Sequence, residues 1–155
     1  MIRLKKRSFI ALLCLLILLP ACEDEGTCSE NTVSRVNAGF YSLTGGKETT
    51  SPVNQLALYG ITRQDSVILK SNARNIEFPL SMHDTVNLFV MTADTLADTL
   101  GFRYANQIVL ISWECGFTNR FEIRSVTSTH NFIDSIAIIN PVADPSDEEN
   151  IKIFI

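Results

Sequence analysis

The chain has 155 residues, 46% of them hydrophobic and 19% charged, with 13 basic against 17 acidic side chains and a formal charge of −4. Four of the bases, Arg3, Lys5, Lys6 and Arg7, fall at the very start, so the remainder carries nine bases against 17 acids, a charge of −8. With no basic stripe, that balance argues against nucleic acid or bare anionic lipid as a partner.

The basic head leads into an unbroken apolar run over residues 9–19, which contains Cys14. That is the order of a secretory signal peptide. A membrane-crossing helix needs about 18 apolar residues or more. Only eleven stand before Pro20. The stretch Leu19-Pro20-Ala21-Cys22 resembles the lipobox of bacterial lipoproteins, in which a small residue precedes a cysteine that is acylated on sulfur and becomes the first residue after cleavage. The resemblance implies a lipoprotein signal peptide at residues 1–21 and lipidation of Cys22, because only a thiol accepts the thioether-linked diacylglycerol. Two ester-linked chains, commonly with a third on the amine, hold stably where one holds marginally. Cys22-Glu23-Asp24-Glu25 resembles the acidic signal behind the lipid-bearing cysteine of surface-exported lipoproteins of Bacteroidota. The same acids also read as a solvated tether over residues 22–32. The expected location is the outer membrane, with the periplasmic face and the cell surface both open.

Removing residues 1–21 from a chain of 155 leaves enough for one domain with a real core and too little for two comfortable ones, so residues 33–155 are expected to be one domain. Cys14 leaves with the signal and Cys22 is taken by lipid. Cys28 and Cys115 are then the remaining thiols, in an oxidising compartment, and are expected to pair. Such a bridge closes a long loop, worth roughly 4 kcal/mol if unstrained. A redox or metal role is the alternative, but neither cysteine sits in C-x-x-C and neither His83 nor His130 has ligand spacing around it, so no metal and no cofactor are expected.

Beyond the tether the pattern has period two nearly everywhere, in short runs parted by turn residues. A strand over 35–43 ends at a Gly45-Gly46 turn, and strands over 55–61 and 66–70 follow. Over 74–81, Ile76, Phe78 and Leu80 share a face, and Pro79 places this strand at a sheet edge because it cannot donate to a ladder. Strands over 86–92, 99–104 and 107–114 come next, the last apolar on both sides and hence expected at the centre of a sheet. After a turn at Gly116, the strand over 117–126 sets Phe121 and Ile123 against Arg120, Glu122 and Arg124. Strands over 133–140 and 151–155 end the series. No long amphipathic helix follows residue 22. The expected fold is all-β, an immunoglobulin-like two-sheet β-sandwich of about eight or nine strands, with Trp113 packed on the bridge.

Four places carry a family resemblance: Cys22 followed by Cys28, Phe40-Tyr41 closing the first strand, Cys115-Gly116-Phe117 after a hydrophobic strand, and the ending Ile151-Lys152-Ile153-Phe154. In these the chain resembles a group of short uncharacterised lipoproteins of Bacteroidota, a domain of unknown function. The resemblance implies a small lipid-anchored β-domain and the pairing of Cys28 with Cys115, and brings no activity. Members usually have a threonine-proline pair before the first strand, whereas here Val33 follows Thr32.

Asp-Ser/Thr-aliphatic occurs five times, at Asp65-Ser66-Val67, Asp84-Thr85-Val86, Asp94-Thr95-Leu96, Asp98-Thr99-Leu100 and Asp134-Ser135-Ile136. The tripeptide is similar to the O-glycosylation acceptor of Bacteroidota envelope proteins, which makes Ser66, Thr85, Thr95, Thr99 and Ser135 candidate sugar sites. Aspartate in a turn followed by the first residues of a strand explains the same pattern. The acidic loop over 144–149 lacks the spacing and glycine of a calcium loop and reads as a solvated turn. No Gly-x-Ser-x-Gly elbow frames a serine, so an enzyme is not expected. The leading expectation is a structural or interaction module of the cell envelope, with an outer-membrane barrel or its assembly complex as partner. A surface glycan-binding module, with Tyr41, Tyr59 and Tyr104 as its aromatic platform, is the alternative.

Overall fold

The computed structural model describes residues 26–155, and over them the alternation resolves into eleven strands and no helix. The basic head, the apolar run, Cys22 and the acidic tetrapeptide lie outside the described residues. In chain order the strands are β1 (Val36–Thr44), β2 (Lys47–Thr50), β3 (Leu56–Gly60), β4 (Arg63–Lys70), β5 (Asn75–Phe78), β6 (Val86–Ala93), β7 (Leu96–Ser112), β8 (Gly116–Ser128), β9 (Ser135–Ile138), β10 (Val142–Ala143) and β11 (Glu149–Phe154). They form the expected two-sheet sandwich. One sheet runs β2-β1-β11-β9, with β5 sharing the outer edge of β1 with β2; the other runs β10-β8-β7-β6-β3-β4.

The second sheet is an antiparallel array in which each central strand neighbours one close to it in sequence. The first is closed by a long-range contact, because β1 and β11 pair in parallel, bringing the two ends of the domain together. The β1–β2 hairpin turns on two residues, and Gly45 and Gly46 both hold positive φ, 61° and 80°. A two-residue turn of that hand matches the twist of its strands and favours glycine at both positions. Pro79 falls immediately after β5, which pairs with β1 alone, so the proline stands at an edge as expected.

Inward-facing side chains of both sheets form the core. Phe40, Phe78, Ile151 and Ile153 from the first meet Leu58, Met91, Phe102 and Phe121 from the second. Phe78 crosses to Phe102 at 4.8 Å and to Phe89 at 5.3 Å between ring centroids, with Phe89 and Phe102 at 5.8 Å edge to face. Phe121 and Ile123 are buried while Arg120, Glu122 and Arg124 are exposed, as their alternation predicts.

Three expectations are corrected. The strands expected over 99–104 and 107–114 are one strand, β7, of 17 residues. Its second half is not central. The last β7 residue opposite β6 is Arg103, and beyond it β7 pairs with β8 only, through Ile108↔Asn119, Val109↔Thr118 and Leu110↔Phe117. The two strands thus leave the sandwich as a two-stranded arm. The count also exceeds eight or nine, because β2 and β10 are short strands without apolar alternation.

The bridge between Cys28 and Cys115 is formed, with the two Cα atoms 4.7 Å apart and the two cysteines 87 positions apart in sequence. It joins the tip of the arm to the segment leading into β1. Trp113 does not pack on it: the indole is 90% exposed, because the bridge lies at the tip rather than between the sheets. Loop closure of this length gives roughly 4 to 5 kcal/mol by chain entropy. The native segment is also held independently, since Thr118 Oγ1 donates to Thr32 O at 2.7 Å and Ser34 Oγ donates to Asn119 O. Without the bridge only the stretch before these bonds is released, and its regained freedom offsets part of the loss. Replacing Cys28 and Cys115 together by alanine is therefore expected to lower the unfolding free energy by about 2 kcal/mol. Hydrogen exchange should speed up most at the arm tip, while core amides, which exchange through global unfolding, speed up by no more than the roughly 30-fold that this loss allows.

Candidate functional site

Two surfaces stand out because their side chains have nothing to pack against. The first is β4. It pairs with β3 on one side and, among the described residues, has no partner on the other, and every residue from Arg63 to Leu69 is exposed. Val67, Ile68 and Leu69 lie together there, with Leu69 75% exposed. Ile68 is paired with the buried Leu58 and so shares the inward side, while Leu69 opposite Ala57 points outward. An unpaired strand with aliphatic side chains on both faces is a template for another extended chain. Beside the start of β4 lies an open cleft of about 780 Å³, walled by Ile61, Arg63, Met82, His83, Asp84 and Leu88.

The loop on the far wall of this cleft is fixed from within the protein. The single Tyr104 hydroxyl proton is shared between Ser81 O at 2.8 Å and Asn87 Oδ1 at 2.9 Å, and Ser81 N donates to Asn87 Oδ1. Burial, then the nearby Asp84 charge, raises the Tyr104 pKa above the usual phenol value. Asn106 Nδ2 donates to Met82 O at 2.7 Å, while Asn106 Oδ1 is buried without a hydrogen-bond partner.

The second surface is the β7–β8 arm. Tyr104, Asn106, Ile108 and Leu110 alternate on one face of β7, continuing the face that carries Phe102, and their partners on β8 put Phe117 and Asn119 on the same side. The face that forms the core in the sandwich therefore runs on past the edge of the opposite sheet. Ile108 is 73% and Phe117 71% exposed.

The sequence candidates are not gathered into one place. Tyr41 is in the first sheet, whereas Tyr59 and Tyr104 are in the second, and Tyr104 is buried. Tyr41 is engaged in its own cluster: its hydroxyl donates to Glu149 Oε2 at 2.9 Å, Lys152 Nζ lies 4.9 Å from its ring centroid, and Lys152 pairs with Glu48. Burial first, then the Glu149 hydrogen bond, raises the Tyr41 pKa. Gly39 makes room for this cluster, since a Cβ there would sit 2.1 Å from Glu149 Oε2 and 2.7 Å from the Tyr41 ring.

Of the five Asp-Ser/Thr sites, Ser66, Thr85, Thr95 and Ser135 are exposed and Thr99 is half-buried. Asp94 occupies the β6–β7 turn with φ 51°, and Asp84-Thr85 and Asp134-Ser135 stand at the entries to β6 and β9. Asp98 differs. It is buried, and its carboxylate accepts hydrogen bonds from Thr129 Oγ1 and from the backbone N–H groups of Asn131, Phe132 and Ile133, all between 2.7 and 2.9 Å. Burial pushes this carboxyl up, but the four hydrogen bonds outweigh it and hold the pKa at about 2.

His83 and His130 are far apart in sequence and unlinked: His83 is exposed in the cleft loop, and His130 contacts Ile133 O through Nδ1 at 2.9 Å. In the acidic loop, Asp144 Oδ1 accepts from Ser146 N, Asp147 Oδ1 from Asn31 Nδ2 and Glu148 Oε2 from Asn140 Nδ2. Among the described residues no group of three or more His, Cys, Asp and Glu side chains is arranged to hold a metal, and no helix is long and apolar enough to cross a membrane.

Residues 55–155 match the family of unknown function DUF6452. The chain belongs to that family. The matched part spans all strands from β3 to β11, the β4 edge and the β7–β8 arm, Cys115-Gly116-Phe117 and the final Ile151-Lys152-Ile153-Phe154. Cys22, Cys28 and Phe40-Tyr41 precede it. No curated protein and no solved structure matches the chain.

Proposed function

We propose that this protein is a lipid-anchored lipoprotein of the outer membrane, of the Bacteroidota type, which serves as an accessory interaction module and holds an extended segment of another envelope protein on strand β4. The single observation that carries the reading is the unpaired edge of β4, with Val67, Ile68 and Leu69 exposed along it. Strand addition draws its affinity from main-chain hydrogen bonds and its selectivity from alternate side chains. The cleft beside Arg63 and Met82 gives such a side chain a place to enter. The lipobox at Leu19-Pro20-Ala21-Cys22 supports the anchor, and the acidic residues behind it support the outer membrane. An outer-membrane barrel, or the complex that assembles one, offers extended segments at the right membrane. Whether the domain faces the periplasm or the cell surface is decided by protease shaving of whole cells. The exposed Ser66, Thr85, Thr95 and Ser135 are the positions offered for O-linked sugar, and a mass increment on their peptides is its test.

A photo-crosslinking residue at Ile68 in cells tests the docking reading. One envelope protein captured in stoichiometric yield supports it, and no capture, or capture of lipid alone, overturns it. Leu69→Lys should abolish the crosslink, because a charge on an edge strand blocks pairing. The same change should alter stability by less than about 0.5 kcal/mol, since the side chain is exposed and away from any special contact.

A further inference from the structure

The β7–β8 arm is apolar where it leaves the sandwich, and it is tied to the start of the domain. Between Arg103 and Arg120 the only charged side chain is Glu114. Trp113 is 90%, Ile108 73%, Phe117 71% and Leu110 44% exposed. On the other face the segment leading into β1 reaches the buried Thr118 through the Thr118–Thr32 hydrogen bond, whereas the face that continues the core stays bare at Ile108, Leu110 and Phe117. The tip itself is stapled by the Cys28–Cys115 bridge, between Trp113 and Phe117, and a Cβ on Gly26 would lie 3.0 Å from Glu114 Cγ.

The position of the tip relative to residue 22 follows from chain length alone. Cys22 and Cys28 are six positions apart, a step that reaches about 20 Å when fully extended. With the 4.7 Å between the bridged Cα atoms and two residues more on either side of Cys115, whatever holds Cys22 keeps Trp113 and Phe117 within about 30 Å. Tryptophan and phenylalanine with an apolar flank prefer the boundary between headgroups and acyl chains, where a ring is desolvated and the indole N–H stays hydrated. The local charge is negative, from Glu23, Asp24, Glu25 and Glu114, which suits zwitterionic headgroups and opposes anionic ones.

We propose that the tip of the β7–β8 arm inserts Trp113 and Phe117, flanked by Leu110 and Ile108, into the interface of a zwitterionic bilayer beside the Cys22 lipid, making a second, non-covalent membrane contact that fixes how the sandwich stands on the membrane. This rests on the reading of Cys22 as the lipid-bearing residue. The bridge then has a mechanical role, coupling the arm to the anchor so that the domain cannot swing freely on its tether.

Trp113 is the only tryptophan, so its fluorescence reports the tip alone. The mature lipidated chain is reconstituted in phosphatidylethanolamine and phosphatidylcholine vesicles. In parallel, a Cys22→Ser chain with an amino-terminal histidine tag is held on the same vesicles by a nickel-chelating lipid. The expected result is a blue shift of Trp113 emission on vesicle addition, a severalfold loss of quenching by iodide, and strong quenching by brominated lipid in both preparations. Phe117→Asp, an exposed position, should reverse these changes while leaving the domain folded and bound. Emission that stays at long wavelength and open to iodide in both vesicle-bound preparations overturns the proposal. So does emission already blue-shifted without vesicles and dependent on protein concentration, which marks the arm as a contact between two copies. Flotation and mass analysis of the first preparation decide the lipid on Cys22 separately: an unmodified chain that does not float sinks the anchor, while the tagged chain still decides the arm.

Discussion

Replacing Phe102 with alanine is expected to lower the unfolding free energy by about 4 kcal/mol, read by urea denaturation. Its side chain is fully buried at the centre of the second sheet and is gripped by Phe78 from the opposite sheet at 4.8 Å and by Phe89 from the neighbouring strand at 5.8 Å. Truncation removes the transfer energy of the ring and leaves a cavity that three strands cannot close. It also removes two aromatic contacts, each worth about 1 kcal/mol beyond area. The informative control lies six residues on, on the same face of the same strand. Ile108→Ala is expected to change stability by less than about 0.5 kcal/mol, because no second sheet stands opposite it. Equal losses at the two positions would mean that the second half of β7 is packed into the domain rather than standing free of it.

The contrast between these two residues shows what local sequence can and cannot reveal. Alternation reports which side of a strand is greasy, and where a neighbour stands opposite, the greasy side is the buried one: Phe121 and Ile123 are inside, and their charged neighbours are wet. Over Ile108, Val109, Leu110 and Ile111 both sides are greasy, which normally marks a strand buried on both faces. The burial of a strand depends on what lies opposite it, and β6 reaches no further than Arg103. Strand length mismatch is a property of the assembled sheet and leaves no local trace. In the same way β2, with Lys47, Glu48, Thr49 and Thr50 all exposed, is held by backbone pairing to β1 and has no pattern to detect. The pairing of Cys28 with Cys115 is legible by elimination, whereas its place at an arm tip is not, and with that place goes the environment of Trp113, which is solvent rather than the bridge.

The β4 edge and the arm are proposed to serve different tasks, and they lie at different places in the second sheet. The cleft beside β4 is separated from the arm by the loop carrying Met82, which Tyr104, Asn87 and Asn106 pin in place. Variants on one surface should therefore leave the other intact. A chain with Leu69→Lys should still show the Trp113 shift on vesicles, and one with Phe117→Asp should keep its crosslink at Ile68. Such independence follows from additivity, because Leu69 and Phe117 stand on strands that do not pair, even though the Met82 loop is reached from the arm by Asn106 and Asn119.

Asp98→Ala is expected to cost about 3 kcal/mol, a loss second only to that at Phe102. The five Asp-Ser/Thr sites look alike in sequence, yet this aspartate alone organises a loop about thirty residues away. Its two oxygens satisfy Thr129, Asn131, Phe132 and Ile133, and Ile133 is itself part of the core. Alanine leaves these donors unmatched, the Ile133 N–H among them in a buried position, and each buried orphan costs roughly 1 to 3 kcal/mol. The carboxylate also makes a pH signature. Its pKa is held at about 2 in the folded chain against 3.8 for an unperturbed aspartate. The stabilisation is therefore fully present above the unfolded value and is lost as pH falls through the folded one, to the extent of about 2 kcal/mol. Asp144, whose pKa is lowered first by its Ser146 hydrogen bond, adds a loss of the same sign, so total acid sensitivity does not isolate Asp98. Comparison with Asp98→Asn does, because that variant keeps the shape and cannot titrate. Between about pH 5 and about pH 2, wild type should lose about 2 kcal/mol more than the asparagine variant. Parallel curves for the two would show that the carboxylate is not what holds the 129–133 loop.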